Sequence, residues 1–276
     1  MGLVINTNIA SMNAQRNLSR TEDSLNTSMA RLSSGMRITA SKDDAAGLAI
    51  SEKLRAQIRG LAQAERNSHD GISLVQVAEG ALNEVGNILI RLRELAVQSA
   101  TGTLGSQERG YLNNELNELM EEMDRIAGVT DFNGMQLLDG TASFDLQVGI
   151  RNHPDDRIQV VISTMSTVGI GLAGVQINGA TGSNARLALD AIDTAINSVS
   201  EIRGDLGAIQ NRLSSTIKNL ATQRENLSAA NSRIRDVDVA DETVRQTRAQ
   251  ILMQAGISVL AQANQLPQMA LQLIGG

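Results

Sequence analysis

A few places in the chain carry residue types that could do chemistry. Gly169-Ile170-Gly171-Leu172-Ala173-Gly174 matches G-x-G-x-x-G, the spacing of a dinucleotide phosphate loop. That chemistry needs a strand before the glycines, a helix opening directly after them, and an acid about 20 residues further on. Here Val175-Gln176-Ile177-Asn178-Gly179 follows, which opens no helix, and Asp190 falls inside the next predicted helix. Ser68-His69-Asp70 has the residue types of a nucleophile relay, but adjacent side chains on a helix diverge and cannot converge on one reacting atom. His153 stands in a turn beside Pro154, with no second histidine or cysteine spaced to share a metal. Asp236, Asp238 and Asp241 resemble part of a calcium loop without its glycine and closing glutamate, and read better as helix caps. Glu121-Glu122 belongs to an acidic face. These motifs give no catalytic constellation, no metal site and no cofactor site, so the chain reads as not an enzyme.

The elements that would have to position such groups point the same way. Of 276 residues only Tyr111, Phe132 and Phe144 are aromatic. Aromatic rings dominate the cores of compact enzymes and the stacking platforms of nucleic-acid binders. Their near absence, with Leu, Ile, Val, Met and Ala abundant, favours long helices packed side by side. A net charge of −6 argues against a nucleic-acid partner. There is no cysteine, hence no disulfide, thiolate metal site or thiol nucleophile. The first residues lack the charged and apolar regions of a secretory signal, so any export is expected by a route that removes no such peptide.

The most telling stretch runs from Ala249 to Gly276, which contains no charged residue. Leu252, Val259, Leu266 and Leu273 recur every seven residues, and Ala249, Gly256, Ala263 and Ala270 form a companion seam of small residues. Large residues on one seam and small on the other suit a close-packed coiled coil. Met253, Leu260 and Ile274 widen the apolar arc until other partners must cover it. Interspersed Gln, Ser and Asn argue against membrane insertion, for which a segment needs about 20 predominantly apolar residues. At the other end, Ile5 and Met12, then Leu18, Leu25 and Leu32, keep the same seven-residue interval, with Ile9 and Met29 beside them. This predicts a helix ending near Ser34-Gly35, followed by an irregular link over 36–42 that Asp43 or Asp44 closes as a cap.

From Gly47 a spacing of three and four residues runs through Leu54, Leu61, Val75, Leu82 and Leu89, with a second stripe at Leu74, Ala81, Ile88 and Leu95. A helix from Asp44 to Ala100 would be about 85 Å long, a rod and not a globule. Thr101 to Ser106 breaks it, and a shorter helix follows with Leu112, Leu116, Leu119, Met123 and Ile126 on one seam. Phe144, Leu146, Val148 and Ile150 alternate, as do Ile158, Val160 and Ile162, around Asn152-His153-Pro154-Asp155-Asp156, which signals a β-hairpin. Residues 163–183 are rich in Gly, Ser and Thr without a period. Ile192, Val199, Leu206, Leu213, Leu220, Leu227 and Ile234 then keep a strict heptad. The expected fold is mainly α: a long coiled-coil-like bundle with a small β-hairpin region, its N- and C-terminal helices paired. The expected domains are 1–43 with 236–276, and a rod over 44–235 with helices at about 44–100, 107–128 and 184–235 and the hairpin region at about 131–163.

Several strings now carry a family resemblance. Val4-Ile5-Asn6-Thr7-Asn8-Ile9-Ala10-Ser11, Leu32-Ser33-Ser34-Gly35-Met36-Arg37-Ile38 and Lys42-Asp43-Asp44-Ala45-Ala46-Gly47-Leu48-Ala49-Ile50 resemble bacterial flagellin. So do Arg93-Glu94-Leu95-Ala96-Val97-Gln98-Ser99-Ala100, Asp131-Phe132-Asn133-Gly134, and the tail from Arg248 through Gln265. The likeness spans nearly everything except residues 163–183, where larger flagellins carry variable outer domains, so the chain is similar to a minimal flagellin. The resemblance implies a secreted subunit of the flagellar filament, a helical homo-oligomer of many copies, exported by a type III apparatus for swimming motility. It implies that the terminal helices line the filament channel, through Ile5, Ile9, Met12, Leu18, Leu25, Leu32, Leu252, Val259, Leu266 and Leu273, while the rods make the surrounding tube. It further implies a filament cap protein, a hook–filament junction protein and an export chaperone on the C-terminal segment as partners. The positions matching those central to recognition by the animal Toll-like receptor for flagellin are Arg91, Leu95 and Glu115, which makes innate recognition a hypothesis.

Competing readings carry different expectations. A hook–filament junction protein would share the ends but exist in about a ring's worth of copies, where a filament subunit would number in the thousands (an order-of-magnitude expectation from closed versus open assembly). An enzyme built on the Gly169 loop would hold nucleotide, and a membrane-inserting protein would put its tail into lipid without assembly partners.

Overall fold

The computed structural model describes residues 7–140 and 143–274, the last nine as backbone only. Its helices are α1 (Ile9–Ser34), α2 (Ala45–Ser99), α3 (Ser106–Val129), α4 (Ser183–Arg235) and α5 (Val239–Ile274). Between α3 and α4 lie β1 (Asp131–Phe132), β2 (Met135–Gln136), β3 (Ser143–Gln147) and β4 (Arg157–Val161). The architecture is mainly α with two small antiparallel strand pairs. It divides into two compact units, Met1–Ala56 with Asn226–Gly276, and Gln57–Glu225, so that α2 and α4 each contribute to both.

In the first unit the boundaries of the helices have local causes. The Asn8 side chain caps α1 by accepting from Ser11 N at 3.0 Å, and Gly35 ends it at φ 69°, a left-handed conformation that costs glycine little. Asp44 Oδ1 accepts from Gly47 N at 2.8 Å at the start of α2. The neighbouring Asp43 carboxylate holds the turn itself, accepting from Thr39 Oγ1 at 2.9 Å and from the N–H groups of Thr39 and Ala40 at 3.1 Å. Those bonds, the Thr39 hydroxyl first, stabilise the ionised form and hold Asp43 below its ordinary value of 3.8.

The second unit has one main core. α2 supplies Val75, Leu82, Leu89 and Ala96 on one stripe and Leu74 and Leu95 on the other; α4 supplies Ile192, Val199 and Leu206; α3 supplies Leu116, Met123 and Ala127. Two stripes on one helix need two covering partners, which is why both α3 and α4 contribute. Leu61, Leu213 and Leu220 are buried as well. Leu54 and Leu227 depart from the expected rod core: both are half-buried and belong to the first unit. The physical difference is that the core of the second unit also receives α3 and the hairpin, whereas two facing helices alone leave the flanks of a seam open. Arg93 Nε to Asp193 (2.7 Å), Arg91 to Glu115 (2.6 Å) and Arg224 to Glu65 (2.6 Å) tie the helices at their surface.

β1 and β2 pair through Asn133 and Gly134 at φ 52° and 78°, the two successive positive values that a tight hairpin turn requires. β3 and β4 pair with Phe144 opposite Val160 and Leu146 opposite Ile158. Val148 and Ile150 were expected to continue this alternation, but the ladder stops at Gln147 opposite Arg157. Beyond it, Val148 N and Gly149 N both donate to Asp156 O, and a Cβ on Gly149 would strike the Asp156 side chain, so the chain turns there instead of extending.

Residues 162–182 contain no helix or strand, yet Ile162, Met165, Ile170, Leu172 and Ile177 are buried in the main core. Polar side chains strap this segment down. Asp124 accepts from Thr167 N (2.7 Å) and Thr167 Oγ1 (2.8 Å), Asn113 Oδ1 accepts from Ile177 N (2.9 Å), and Ser99 Oγ donates to Ile177 O (2.5 Å). Arg109, only 2% exposed, completes the work. Its Nε donates to Ser99 O (2.9 Å), its Nη2 to Thr101 O (2.9 Å) and its Nη1 to Gly179 O (3.3 Å). One guanidinium thus joins the end of α2, the turn after it and the strapped segment. Truncation as Arg109→Ala leaves three carbonyls without their donor and is expected to destabilise this unit by about 2–3 kcal/mol. Chemical unfolding of the monomer measures the loss, and hydrogen exchange should rise first at 99–105 and 177–180.

Candidate assembly surface

α1 and α5 run antiparallel, and contacts mark their register from end to end. Asn8 Nδ2 donates to Ala263 O (2.6 Å), Ser11 Oγ to Asn264 Oδ1 (2.7 Å), Arg31 meets Glu242 (3.9 Å), and Met36 forms a backbone bridge with Asp236. Arg235 closes the far end, with Nη1 donating to Glu52 Oε1 (2.8 Å) and its backbone oxygen accepting from Arg37 N (2.7 Å).

The facing residues are chosen by size. On α1 Ser11, Ala14, Leu18, Thr21, Leu25, Ser28 and Leu32 are buried or half-buried in alternating steps of three and four, with Arg31 half-buried beside them. On α5 they are Glu242, Gln246, Ala249, Met253, Gly256, Leu260 and Ala263. Leu18 sits over Gly256, where a Cβ would lie 3.2 Å from Leu18 Cδ1. Small residues let the two backbones approach, so that Cα–Cα separations of 8 Å or less recur along the pair. Glu242 is the one carboxylate in this seam, 4% exposed, with Arg31 and Arg245 each at 3.9 Å.

Turning the small seam inward turns the large one outward. Leu252 is 52% exposed, Val259 54% and Ile251 61%, and on α1 Ile9 is 60% exposed and Met12 56%. Thr243, Val244, Thr247, Arg248, Ile251 and Leu252 line a shallow apolar cleft on α5. Of the ten positions expected on the terminal helices, Leu18, Leu25 and Leu32 therefore lie in the pair's own seam, and Ile9, Met12, Leu252 and Val259 lie on its outer surface. Ile5 lies outside the described residues, as do the side chains of Leu266 and Leu273. Monomeric proteins rarely leave so much contiguous apolar helix uncovered.

The positions singled out for receptor contact separate. Arg91 donates to Glu115 Oε1 through Nε (3.0 Å) and Nη2 (2.6 Å) and to Glu94 Oε2 through Nη1 (2.9 Å), all on the surface. The Glu115 bond, then the Glu94 bond, holds the Arg91 guanidinium more firmly protonated than usual. Leu95 lies apart from Arg91 and Glu115, fully buried in the main core, because its stripe faces inward with Leu74, Ala81 and Ile88. It lies beneath the surface that Arg91 and Glu115 present.

The motifs that could have done chemistry find structural roles. Gly171 and Gly174 take φ of 78° and 77° in a turn that opens no helix, and a Cβ on Gly169 would strike Thr164. Ser68 is buried and donates to Ala64 O (2.8 Å), while His69 and Asp70 are exposed. Asp238 caps α5, accepting from Ala240 N (2.9 Å) and Asp241 N (3.3 Å). Among the described residues no cluster of three His, Asp or Glu is placed to hold a metal ion, and no helix is long and apolar enough to cross a membrane.

Comparison with known proteins agrees with this geometry. Residues 5–143 match the family model of the bacterial flagellin N-terminal helical region, and residues 189–274 that of the C-terminal helical region. The chain is 52% identical to a flagellin of Halalkalibacterium halodurans, over 99% of this chain and 100% of that one. It is 44% identical to the flagellar filament 33 kDa core protein of Treponema phagedenis, again over 99% and 100%. A Vibrio parahaemolyticus structure assigned as a flagellar hook-associated protein shares the fold at TM-score 0.59 and 16% identity, covering 70% of this chain and 100% of that one.

The seam makes a specific demand on size. Gly256→Leu places a branched side chain against Leu18 and is expected to cost about 1–3 kcal/mol in the pairing of α1 with α5. Hydrogen exchange should rise along both helices while the amides around Arg109 keep their protection. Unchanged protection of α1 would show that the seam has room to spare.

Proposed function

The chain belongs to the bacterial flagellin family, and on that premise we propose how its own residues serve the filament. It is a structural subunit that self-assembles with many copies of itself into the extracellular filament of the flagellum, the propeller of swimming motility. In this reading α1 and α5 form the inner domain over 1–43 and 236–276 and line the channel, and residues 44–235 make the surrounding tube. The observation that carries it is the outward apolar face of the α1–α5 pair, continued by an α5 without charge after Arg248. Subunits related by an operation that does not close generate an open helix, and each added copy covers the face of the last. Nothing in this role calls for catalysis, a cofactor, nucleic acid or membrane insertion.

Further partners follow from the same premise. A cap protein at the growing end and a hook–filament junction protein at the base would meet the same terminal helices. An export chaperone would cover the C-terminal segment before secretion, since the apolar face needs an occupant whenever no neighbouring subunit supplies one. The ion-paired surface of Arg91 and Glu115 is the candidate contact for an animal Toll-like receptor for flagellin.

Two measurements test the reading. Purified chain added to sheared filament seeds should elongate them, seen by light scattering and electron microscopy. The double variant Leu252→Lys with Val259→Lys changes only exposed positions, so monomer stability should stay within about 0.5 kcal/mol per site, while elongation is lost. Growth at the unmodified rate would remove these residues from assembly. For the receptor, Arg91→Glu with Leu95 left in place should abolish reporter activation by monomer while lowering its stability only slightly, as the loss of exposed ion pairs does, and unchanged activation would end that proposal.

A further inference from the structure

The chain contains two Asn–Gly steps, Asn133-Gly134 and Asn178-Gly179. Asn followed by Gly is the sequence most open to spontaneous deamidation, because glycine has no Cβ to hinder its own nitrogen from reaching the asparagine side chain. The fold treats the two steps differently. Gly134 N donates to Asp131 Oδ2 at 3.0 Å, within the β1–β2 turn. Attack by that nitrogen needs it freed and its proton removed, and a carboxylate accepting the N–H opposes both. Among the described residues Gly179 N makes no hydrogen bond. The Asn178 side chain makes none either; only its backbone oxygen is engaged, by Asn184 Nδ2 at 2.9 Å. Asn178 and Gly179 are half-buried, so water reaches them.

We propose that Asn178 is this chain's site of spontaneous deamidation, and that Asp131 protects the step at Asn133, although Asn133 and Gly134 are the more exposed pair. Gly179 N attacks Asn178 Cγ; the new C–N bond closes a succinimide as the Cγ–Nδ2 bond breaks, and ammonia leaves with the proton given up by Gly179. Water then adds across either ring C–N bond, giving aspartate or, with the main chain rerouted through the side chain, isoaspartate. The product lies inside the strapped segment. On one side of it Ile177 is held by Asn113 and Ser99, and on the other Gly179 O is held by Arg109. An added backbone carbon there cannot leave all three bonds in place.

The full-length chain, held in warm and mildly alkaline buffer, is sampled over time and digested. Each Asn–Gly peptide is quantified by the mass change of amide-to-carboxylate conversion and by isoaspartyl methyltransferase labelling. Asn178 should convert about tenfold faster than Asn133, the rate equivalent of one ordinary hydrogen bond, and the two should react alike in denaturant. Asp131→Ala should bring Asn133 up to the rate of Asn178 without moving Asn178. Phe132→Ala loosens the same hairpin while keeping the carboxylate, and should leave Asn133 slow. Samples converted at Asn178 should exchange amides faster around Arg109. The proposal is overturned if Asn133 reacts as fast as Asn178 in the native chain, if both stay intact while the denatured chain reacts, or if Phe132→Ala accelerates Asn133 as much as Asp131→Ala does.

Discussion

A helix with apolar side chains on more than one face cannot satisfy them with one partner. Most of what this chain builds answers that constraint. α2 carries two stripes, so it takes α3, α4 and the irregular segment 162–182 together as cover, and the result is a closed core in which Val75, Leu82, Leu89 and Leu95 are fully buried. α1 and α5 meet the constraint only halfway. Leu18, Leu25 and Leu32 of α1 pack toward Ala249, Met253, Gly256, Leu260 and Ala263 of α5, while Ile9, Met12, Leu252 and Val259 stay outside. The first arrangement is complete within one chain; the second is complete only in company, which is the physical content of membership in a filament-forming family.

Period decided what could be read from the amino-acid order. The heptad from Ile192 to Leu220 and the three-and-four spacing along α2 survive in the fold because they are long and regular, and the helix ends at Ser34, Ser99 and Arg235 follow from glycine, turn and acidic signals that are local. Segment 162–182 was illegible for the opposite reason. Ile162, Met165, Ile170, Leu172 and Ile177 are core residues without a common period, held by Asp124, Asn113, Ser99 and Arg109, which lie far away in sequence. No local pattern announces that Arg109, of the two arginines on α3, will be the buried one.

The candidate surface was half legible for a related reason. Heptad positions on α5 identify two seams, but which of them turns inward depends on backbone separation. Gly256 against Leu18 fixes that separation, and only the paired structure shows it. Leu95 shows the same limit from the other side: a motif match places a residue type on a helix, while burial is settled by the second stripe to which it belongs.

The scarcity of aromatic residues leaves Tyr111 as the chain's only tyrosine, in the absence of any tryptophan. Its ring stands 64% exposed on the outer face of α3, with its hydroxyl oxygen accepting from Gln107 Nε2 at 3.0 Å. The tyrosine band of the near-ultraviolet absorption and emission, at longer wavelength than the weak bands of Phe132 and Phe144, therefore comes from a single, known place. Anything that covers or wets the outer face of α3 will change that band, and events confined to the α1–α5 pair will be silent in it. The protein carries a built-in, site-specific chromophore, and its tyrosine band can be interpreted as the environment of one side chain.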